Sequence, residues 1–567
     1  MTRIPYRRAL PWLGLLCVLA AYVIAVVRLH PTNFFGYSND DMIYFSSAKA
    51  LADGRGYILP SVPGTPPATK YPVLLPWLLS FAWKWNPSFP ANLADAIGII
   101  VAFGCIFLTA TFVFVRRLAG FTDGEALLLT GFCALHPLVL FYSSSILSEM
   151  PFAALCLLAM LVSDRATRPG ASSTGSIAAG ILAGVSMLIR ILGAPIAVGI
   201  FVAAVSRKAW RQAAIFAASA APFALGIAAR AFYSVPPLPP ASLGSSGPGW
   251  NQTWLYYTNY MAFRRMASPN LHMAGVLALN QVLYLVAAIP GYFLSPLSER
   301  SLVLWLVTTP LVLWCVIAGM IRQARISGWQ AIHFALLFYV VALLSWDYPD
   351  WPRFLIGFLP LFAASLWVEG KYIAGQLREG VRNRLGQSDR VLAIAGVVGM
   401  IILVFAMAWN FGTGDRDRIA AIGRERANLT REKREGYEWL QHNSPEQARV
   451  IAAEDASLYL YSDRQALGQI AFLPSGAYDA VQLESDLNHM MDVPTAINAT
   501  YWLASPDDSD KQWKALKPFL AARLAQIEST LPEVYRSSGG RVRIYRLVCS
   551  SNQDGAVPVK RLVSFQP

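Results

Sequence analysis

The sequence contains little charge for its length. Only 14% of its 567 residues are Asp, Glu, Lys or Arg, and 55% are hydrophobic. Soluble globular proteins average about 25% charged residues. This composition argues against a soluble enzyme, and the high hydrophobic content argues against a disordered chain.

Familiar motifs for metals, nucleophiles and nucleotides are missing. The six cysteines show no CxxC or Cys/His spacing typical of a zinc site, and five of them lie in apolar runs. Cys549 is the only cysteine of the C-terminal part, so no disulfide can form within that part. The sequence also has no glycine-flanked nucleophilic serine and no P-loop.

Acidic residues are scarce in the first 411 positions, and this explains the net charge of +13. Residues 1–411 hold 14 of the 34 acidic residues and 28 of the 47 basic residues, whereas residues 412–567 are almost neutral. Nucleic-acid-binding proteins carry positive charge on a soluble basic face, and membrane proteins carry it in cytoplasmic loops. The distribution therefore predicts an integral membrane protein and no nucleic-acid partner.

Eleven apolar runs predict transmembrane helices, each of which needs about 20 mostly apolar residues. The runs are 9–29, 95–115, 126–143, 150–163, 176–190, 192–206, 212–232, 302–321, 331–346, 354–368 and 391–411. Alternating them from a cytoplasmic N-terminus places 17 of the 28 basic residues inside. The sequence thus predicts an α-helical polytopic protein of the inner or plasma membrane, with run 9–29 as an uncleaved first span.

A twelfth apolar stretch, 275–294, would reverse this orientation if it crossed the membrane. Every later basic loop would then lie outside, so we interpret the stretch as an interfacial or re-entrant helix. The alternative is that it spans and another run does not.

Three long segments are then predicted outside: residues 30–94, 233–275 and 412–567. Residues 412–567 are expected to form a small, soluble extracytoplasmic α/β domain after a membrane module of residues 1–411. Its predicted strands are 450–453, 500–503 and 541–548, and its predicted helices are 431–442 and 512–529. Segment 233–275 is rich in Pro, Gly and Ser and then aromatic, which is typical of a loop on the membrane surface.

The first outer segment carries the most informative residues. Asp40 and Asp41 directly follow a predicted span and open a helical pattern that includes Tyr44. A carboxylate here can take a proton from an attacking hydroxyl, with its neighbour supporting it or holding a metal. The alternative is an acidic helix start favoured by the helix dipole. Lys70 is either a phosphate-binding ammonium or a lysine that extends from a span end to the interface.

Three further charged residues lie on the same predicted side. Glu149 stands between two apolar runs, and a carboxylate so close to the membrane is costly and indicates function. Its alternative role is a helix start capped by Ser148. Arg190 stands at an outer span end, and Arg353 has acidic neighbours that offer a structural ion pair as its alternative.

Taken together, these segments resemble the GT-C superfamily of integral-membrane glycosyltransferases. The resemblance is nearest to bacterial relatives of the lipid A aminoarabinose transferase and to the protein O-mannosyltransferases. Asp40 to Tyr44 is similar to their D-[DE]-x-x-Y motif, and Lys70 to Trp77 to K-P-P-L-x-x-W, with Tyr71 in place of the first proline. The remaining similarities are Ser148–Pro151 to T-D-x-P with Glu149 for Asp, Arg353–Pro360 to R-Y-x-x-x-x-x-P, and 453–464 to y-L-x-T-G-R.

The resemblance implies an inverting glycosyltransferase that moves a sugar from a polyprenyl-phosphate donor to a hydroxyl on the outer face. The acceptor would be a lipid, a glycan or a protein. The matching positions imply Asp40 as general base, Asp41 as its neighbour and Glu149 as a second carboxylate. The implied substrate-binding residues are Lys70, Tyr44, Tyr71, Arg190 and Arg353. Some members hold a divalent ion near these acids, so the resemblance admits a metal at Asp41 and Glu149 but no other cofactor.

Two other functions fit parts of the pattern. One is another lipid-linked glycan enzyme, either a ligase or a polymerase, and the other is a transporter. Transporters place charges near the bilayer midplane and often contain inverted repeats. Here the distinctive charges gather at outer span ends, so we expect Asp40, Lys70, Glu149 and Arg353 to face one outward cavity.

Overall fold

A computed structural model describes most of this largely helical chain. The described residues are 6–233, 247–266, 271–300, 302–345, 350–385, 416–473, 479–510 and 516–547. The predicted span 391–411 lies outside them.

Helices account for most of the described positions up to residue 385. The α-helices are Tyr6–Arg28 (α1), Asn39–Ala52 (α2), Leu74–Trp85 (α3), Leu93–Arg117 (α4), Asp123–Leu135 (α5), Pro137–Ser143 (α6), Glu149–Ala166 (α7), Ser173–Met187 (α8), Gly193–Ser206 (α9), Trp210–Tyr233 (α10), Pro248–Thr258 (α11), Tyr260–Met266 (α12), Leu271–Arg300 (α13), Leu302–Ser327 (α14), Ala331–Leu344 (α15), Trp351–Leu355 (α16) and Leu359–Leu385 (α17). Short 3-10 turns occupy Pro31–Phe34 and Ile356–Phe358.

The chain is an integral membrane protein, but eleven spans are not confirmed. Within the described ranges, five helices are long and apolar enough to cross a membrane, or six if α5 and α6, bent by 58°, form one broken span. The bend falls at His136-Pro137, where the proline prevents the preceding residue from continuing the helix. Helices α8 and α9 contain only 15 and 14 residues, because the turn at 188–192 separates them.

The chain folds into two compact units. Unit 1 comprises Met1–Pro31, Ile97–Leu225 and Leu277–Gly423. Unit 2 comprises Thr32–Ala96, Gly226–Val276 and Arg424–Pro567. Each unit therefore gathers segments that lie far apart in the sequence.

Small residues allow close helix packing in unit 1. A Cβ added to Gly199 on α9 would lie 2.4 Å from the Cα of Ala335 on α15. A Cβ added to Gly319 on α14 would lie 1.9 Å from the carbonyl oxygen of Ser365 on α17. Such approaches are typical of membrane helices, whose association depends on van der Waals packing rather than on the hydrophobic effect.

The C-terminal part of unit 2 is built on a mixed five-stranded sheet. Its strands are Arg449–Ile451 (β1), Gln465–Leu467 (β2), Tyr501–Ala504 (β3), Glu533–Arg536 (β4) and Arg543–Arg546 (β5), in the order β2-β1-β3-β5-β4. Strand β1 pairs parallel with β2 and β3, and β5 pairs antiparallel with β3 and β4. The helices are Arg416–Asn443 (α18), Asp455–Ser462 (α19), Ala480–Asn488 (α20), Asp492–Ala496 (α21), Asp507–Asp510 (α22) and Lys517–Glu528 (α23).

The predicted α/β character of this part is confirmed. Strands β1 and β3 overlap two of the predicted runs and β5 lies within the third, and α18 and α23 include most of the two predicted helices. The sequence analysis did not predict strands β2 and β4. Tyr437 of α18, Val450 of β1 and Ile544 of β5 share the buried core.

The aromatic half of segment 233–275 is helical, which corrects its description as a loop. Its sequence forms α11 and α12, and Trp250, Trp254 and Tyr257 are buried. Their spacing of four and three residues places them on one helix face. The stretch 275–294, predicted as an interfacial helix, lies within α13.

Gly199→Ala should lower the stability of the membrane unit. The added methyl group would collide with the backbone of α15, and overpacking of this kind costs about 1–3 kcal/mol. Gly98→Ala on α4 is the matched control, because its Cβ would meet no atom within 4 Å. Thermal unfolding in detergent, followed by tryptophan fluorescence, should show a lower Tm for Gly199→Ala alone. An equal Tm for the two variants would contradict the close packing.

Candidate active site

The start of α2 presents the two neighbouring carboxylates in different ways. Asp41 is fully buried and accepts hydrogen bonds from the amides of Gly36 (2.9 Å) and Met42 (2.7 Å). Asp40 is only half-buried and accepts a hydrogen bond of 2.6 Å from the hydroxyl of Tyr71. Asp41 therefore fixes the backbone at the helix start, while Asp40 presents a carboxylate beside a phenol.

Packing between α2 and α3 sets the position of that phenol. The indole of Trp83 on α3 donates a hydrogen bond of 3.0 Å to the carbonyl of Phe45 on α2. Tyr71 lies just before α3, and its ring packs edge-on against Tyr44 of α2, with centroids 4.9 Å apart. Burial and the charge of Asp40 raise the pKa of Tyr71, so the phenol keeps its proton and remains a donor.

Lys70 lies among tyrosine rings. Its ammonium is 3.4 Å from the ring centroid of Tyr256, 5.1 Å from that of Tyr260 and 5.3 Å from that of Tyr71. An ammonium over an aromatic face is attracted by the ring quadrupole. Burial nevertheless lowers the pKa of Lys70 to about 7, although the charges of Asp40 and Asp455 oppose the shift.

The sequence prediction missed two parts of this arrangement. Tyr256 lies on α11 and Tyr260 begins α12, in the segment that the sequence predicts as a loop. Because a break at Asn259 separates the two helices, the spacing of the tyrosines gave no signal that both rings lie near Lys70. Asp455 begins α19 inside the 453–464 stretch, to which the resemblance assigned no site residue. Asp455 is buried, accepts hydrogen bonds from Ser61 (3.3 Å) and Tyr257, and has its pKa raised to about 6 by burial.

Unit 1 holds the second set of predicted residues. Glu149 is the first residue of α7 and is fully buried. Its carboxylate accepts hydrogen bonds from Arg190 (2.8 Å) and from the Nε of Arg353. Ser148, considered above as a cap, makes no side-chain cap bond to α7. One carboxylate and two guanidiniums thus form an ion-pair cluster at the start of α7.

The predicted residues thus fall into two groups. Unit 2 brings Asp40, Asp41, Tyr44, Lys70 and Tyr71 together. Unit 1 brings Glu149, Arg190 and Arg353 together. Their convergence on one outward cavity stays a prediction.

The carboxylates of Asp41 and Glu149 are not arranged as a metal-binding site. Among the described residues, no group of three His, Cys, Asp or Glu side chains is arranged to hold a metal ion. Asp41 already accepts hydrogen bonds from two backbone amides, and Glu149 already forms ion pairs with two guanidiniums. We therefore derive no chemical step through a metal.

Comparison with known proteins identifies the fold. No protein-family profile matches the sequence, and none of the curated proteins is similar to it. Among solved structures, ArnT from Cupriavidus metallidurans bound to undecaprenyl phosphate is similar over 94% of this chain and 99% of its own, with 12% identity and a TM-score of 0.50. The apo oligosaccharyltransferase of Archaeoglobus fulgidus is similar over 96% of this chain and 75% of its own, with 13% identity and a TM-score of 0.52.

The same oligosaccharyltransferase tethered to an acceptor peptide is similar over 93% of this chain and 73% of its own, with 15% identity and a TM-score of 0.50. Both neighbours belong to the GT-C superfamily. The GT-C fold expected from the sequence motifs is confirmed.

Glu149→Gln should destabilise unit 1. It removes the negative charge that balances Arg190 and Arg353, whose side chains are only 14% and 17% exposed. Breaking a buried ion pair by removing one partner costs about 3–5 kcal/mol. Asp123→Asn is the control, because its pair with Arg116 is 44% and 37% exposed and surface pairs contribute about 1 kcal/mol or less. Equal Tm losses in the two purified variants would show that Glu149 does not hold the arginines.

Proposed function

We propose that this protein is an inverting glycosyltransferase of the inner or plasma membrane. It transfers a sugar from a polyprenyl-phosphate donor to an acceptor hydroxyl on the outer face. The observation that carries the proposal is the half-buried Asp40, hydrogen-bonded to Tyr71 beside the tyrosine-surrounded Lys70, on a GT-C fold. One structural neighbour is bound to undecaprenyl phosphate and the other is tethered to an acceptor peptide, which supports a lipid-linked donor and a separate acceptor.

The cations are assigned to the donor phosphate. As the bond between the anomeric carbon and the phosphate oxygen breaks, its electron pair stays on that oxygen and adds negative charge. Preplaced cations stabilise such charge most where water is sparse. In unit 2, Lys70 supplies such a cation as a point charge. In unit 1, Arg190 and Arg353 are assigned to anion binding on the resemblance of their sequence motifs, and Glu149 keeps their planar guanidiniums in place.

Asp40 is assigned to the acceptor. A hydroxyl is a weak nucleophile and needs a base within hydrogen-bond reach as it attacks. The hydroxyl oxygen bonds to the anomeric carbon from the side opposite the phosphate, and its proton passes to Asp40. Direct displacement of this kind inverts the anomeric centre. Tyr71 orients the carboxylate, while Asp41 fixes the helix start from which Asp40 projects.

Asp40→Asn should lower turnover by about 10²–10⁴-fold, the usual contribution of a general base. The variant keeps the size of the side chain but cannot take the proton. Asp53→Asn is the matched control, because Asp53 lies in the same predicted outer segment and is 41% exposed in an ion pair with Lys49. Turnover would be measured with purified protein and a series of polyprenyl-phosphate sugars. Full activity of folded Asp40→Asn would show that the base is elsewhere.

Lys70 should produce an alkaline limb in the pH profile of kcat/KM for the donor. With a pKa of about 7, its ammonium is charged below pH 7 and neutral above it. Above pH 7, kcat/KM should therefore fall about tenfold per pH unit, in proportion to the charged fraction. Lys70→Arg should remove this limb, because a guanidinium stays charged over the whole range. The same alkaline limb in both proteins would contradict the assignment.

A further inference from the structure

A charge-balanced cluster is buried in unit 2 and belongs to none of the groups assigned above. It consists of Arg426 and Lys433 on α18, Glu454 just before α19, and Asp507 at the start of α22. The four residues are between 1% and 7% exposed. Arg426 donates to Asp507 at 2.7 and 2.9 Å and also to Glu454, and Lys433 lies 2.8 Å from Glu454. The two carboxylates thus hold the guanidinium of Arg426 in one orientation.

One nitrogen of this guanidinium also forms a hydrogen bond outside the cluster. The Nη2 of Arg426 donates to the carbonyl oxygen of Gly36, which lies 390 positions earlier in the sequence. The amide of Gly36 donates in turn to the carboxylate of Asp41. A chain of contacts therefore runs from the buried cluster through Gly36 to the residue next to Asp40.

Gly36 is suited to this place by its backbone. Its φ of +82° lies in the left-handed region, which favours glycine. A Cβ at this position would lie 3.2 Å from the Nη2 of Arg426 and 3.4 Å from the carboxylate oxygens of Glu454. The absence of a side chain lets the guanidinium reach the carbonyl.

We infer that Arg426 is a positioning residue for the Asp40–Asp41 helix start. Ser38 precedes α2 and forms no side-chain cap bond. The orientation of this turn therefore depends largely on the contacts of Gly36 and Asp41. A displacement of about 1 Å in a catalytic group can cost about 100-fold in rate. The catalytic part of this inference rests on the proposed function, but the structural part does not.

The test uses Arg426→Lys in the full-length protein. Lysine keeps the charge of the cluster, but a single ammonium cannot replace the guanidinium fork that spans Asp507, Glu454 and Gly36. Arg464→Lys is the matched control. Arg464 is also 7% exposed in the C-terminal part, and it donates to the carbonyls of Gln441, Ser444 and Ser462.

Hydrogen–deuterium exchange of a peptide covering residues 34–45 is the first readout. Loss of the contact should raise its exchange rate about 10–100-fold in Arg426→Lys, since local opening is governed by such bonds. Arg464→Lys should leave that peptide unchanged. The second readout is turnover, which should fall about 10–100-fold in Arg426→Lys with little change in donor KM, as expected for a misplaced catalytic group.

Gly36→Ala alters the residue that accepts this hydrogen bond and leaves the four charged residues of the cluster unchanged. Its control is Gly54→Ala in the same predicted outer segment, where φ is +73° but the added Cβ would meet no atom within 4 Å. Both alanines impose backbone strain, but only Gly36→Ala should raise exchange in residues 34–45 and lower turnover.

Equal exchange in the Arg426 and Arg464 variants, or in the two glycine variants, would overturn the inference. If the exchange results are as expected but the wild-type protein transfers no sugar from any polyprenyl-phosphate donor, the positioning contact stands and the proposed function fails.

Discussion

The free-energy cost of removing charge from water governs the arrangement of both groups of site residues. An ion that leaves water loses several kcal/mol of hydration, and its surroundings must replace what it loses. Two guanidiniums replace the lost hydration of Glu149, and the faces of tyrosine rings replace part of the hydration of Lys70. Where the replacement is incomplete the pKa moves, as it does to about 7 for Lys70 and about 6 for Asp455.

Local patterns in the sequence predicted the features that depend on local physics. The apolar runs predicted membrane helices, and the acidic pair after the first run predicted the start of α2. Short motifs then led to the correct fold at an identity of only 12–15% to the solved neighbours. The number of spans was harder to predict, because proline bends and short turns break apolar runs without changing their hydropathy, as they do at 136–137 and 188–192.

The contacts around the carboxylates depend on tertiary structure and could not be predicted from local pattern. Nothing near Lys70 in the sequence indicates that Tyr256 will cover it, or that Asp455 will influence its charge. Unit 2 makes these contacts because its first segment and its C-terminal part pack together. The amide of Ala466 on β2 donates a hydrogen bond of 2.8 Å to the carbonyl of Ser61, so the segment that carries Asp40 is anchored to the C-terminal sheet.

This discontinuous construction has a consequence for the order of events during synthesis. Gly36 leaves the ribosome 390 residues before Arg426, and at about 5–20 residues per second that interval lasts roughly 20–80 s. Throughout it, the first membrane helices can insert while the turn bearing Asp40 lacks the guanidinium that holds it. The arrangement at Asp40 is therefore completed only when most of the chain has been made, and a truncated product would carry the carboxylate without its support.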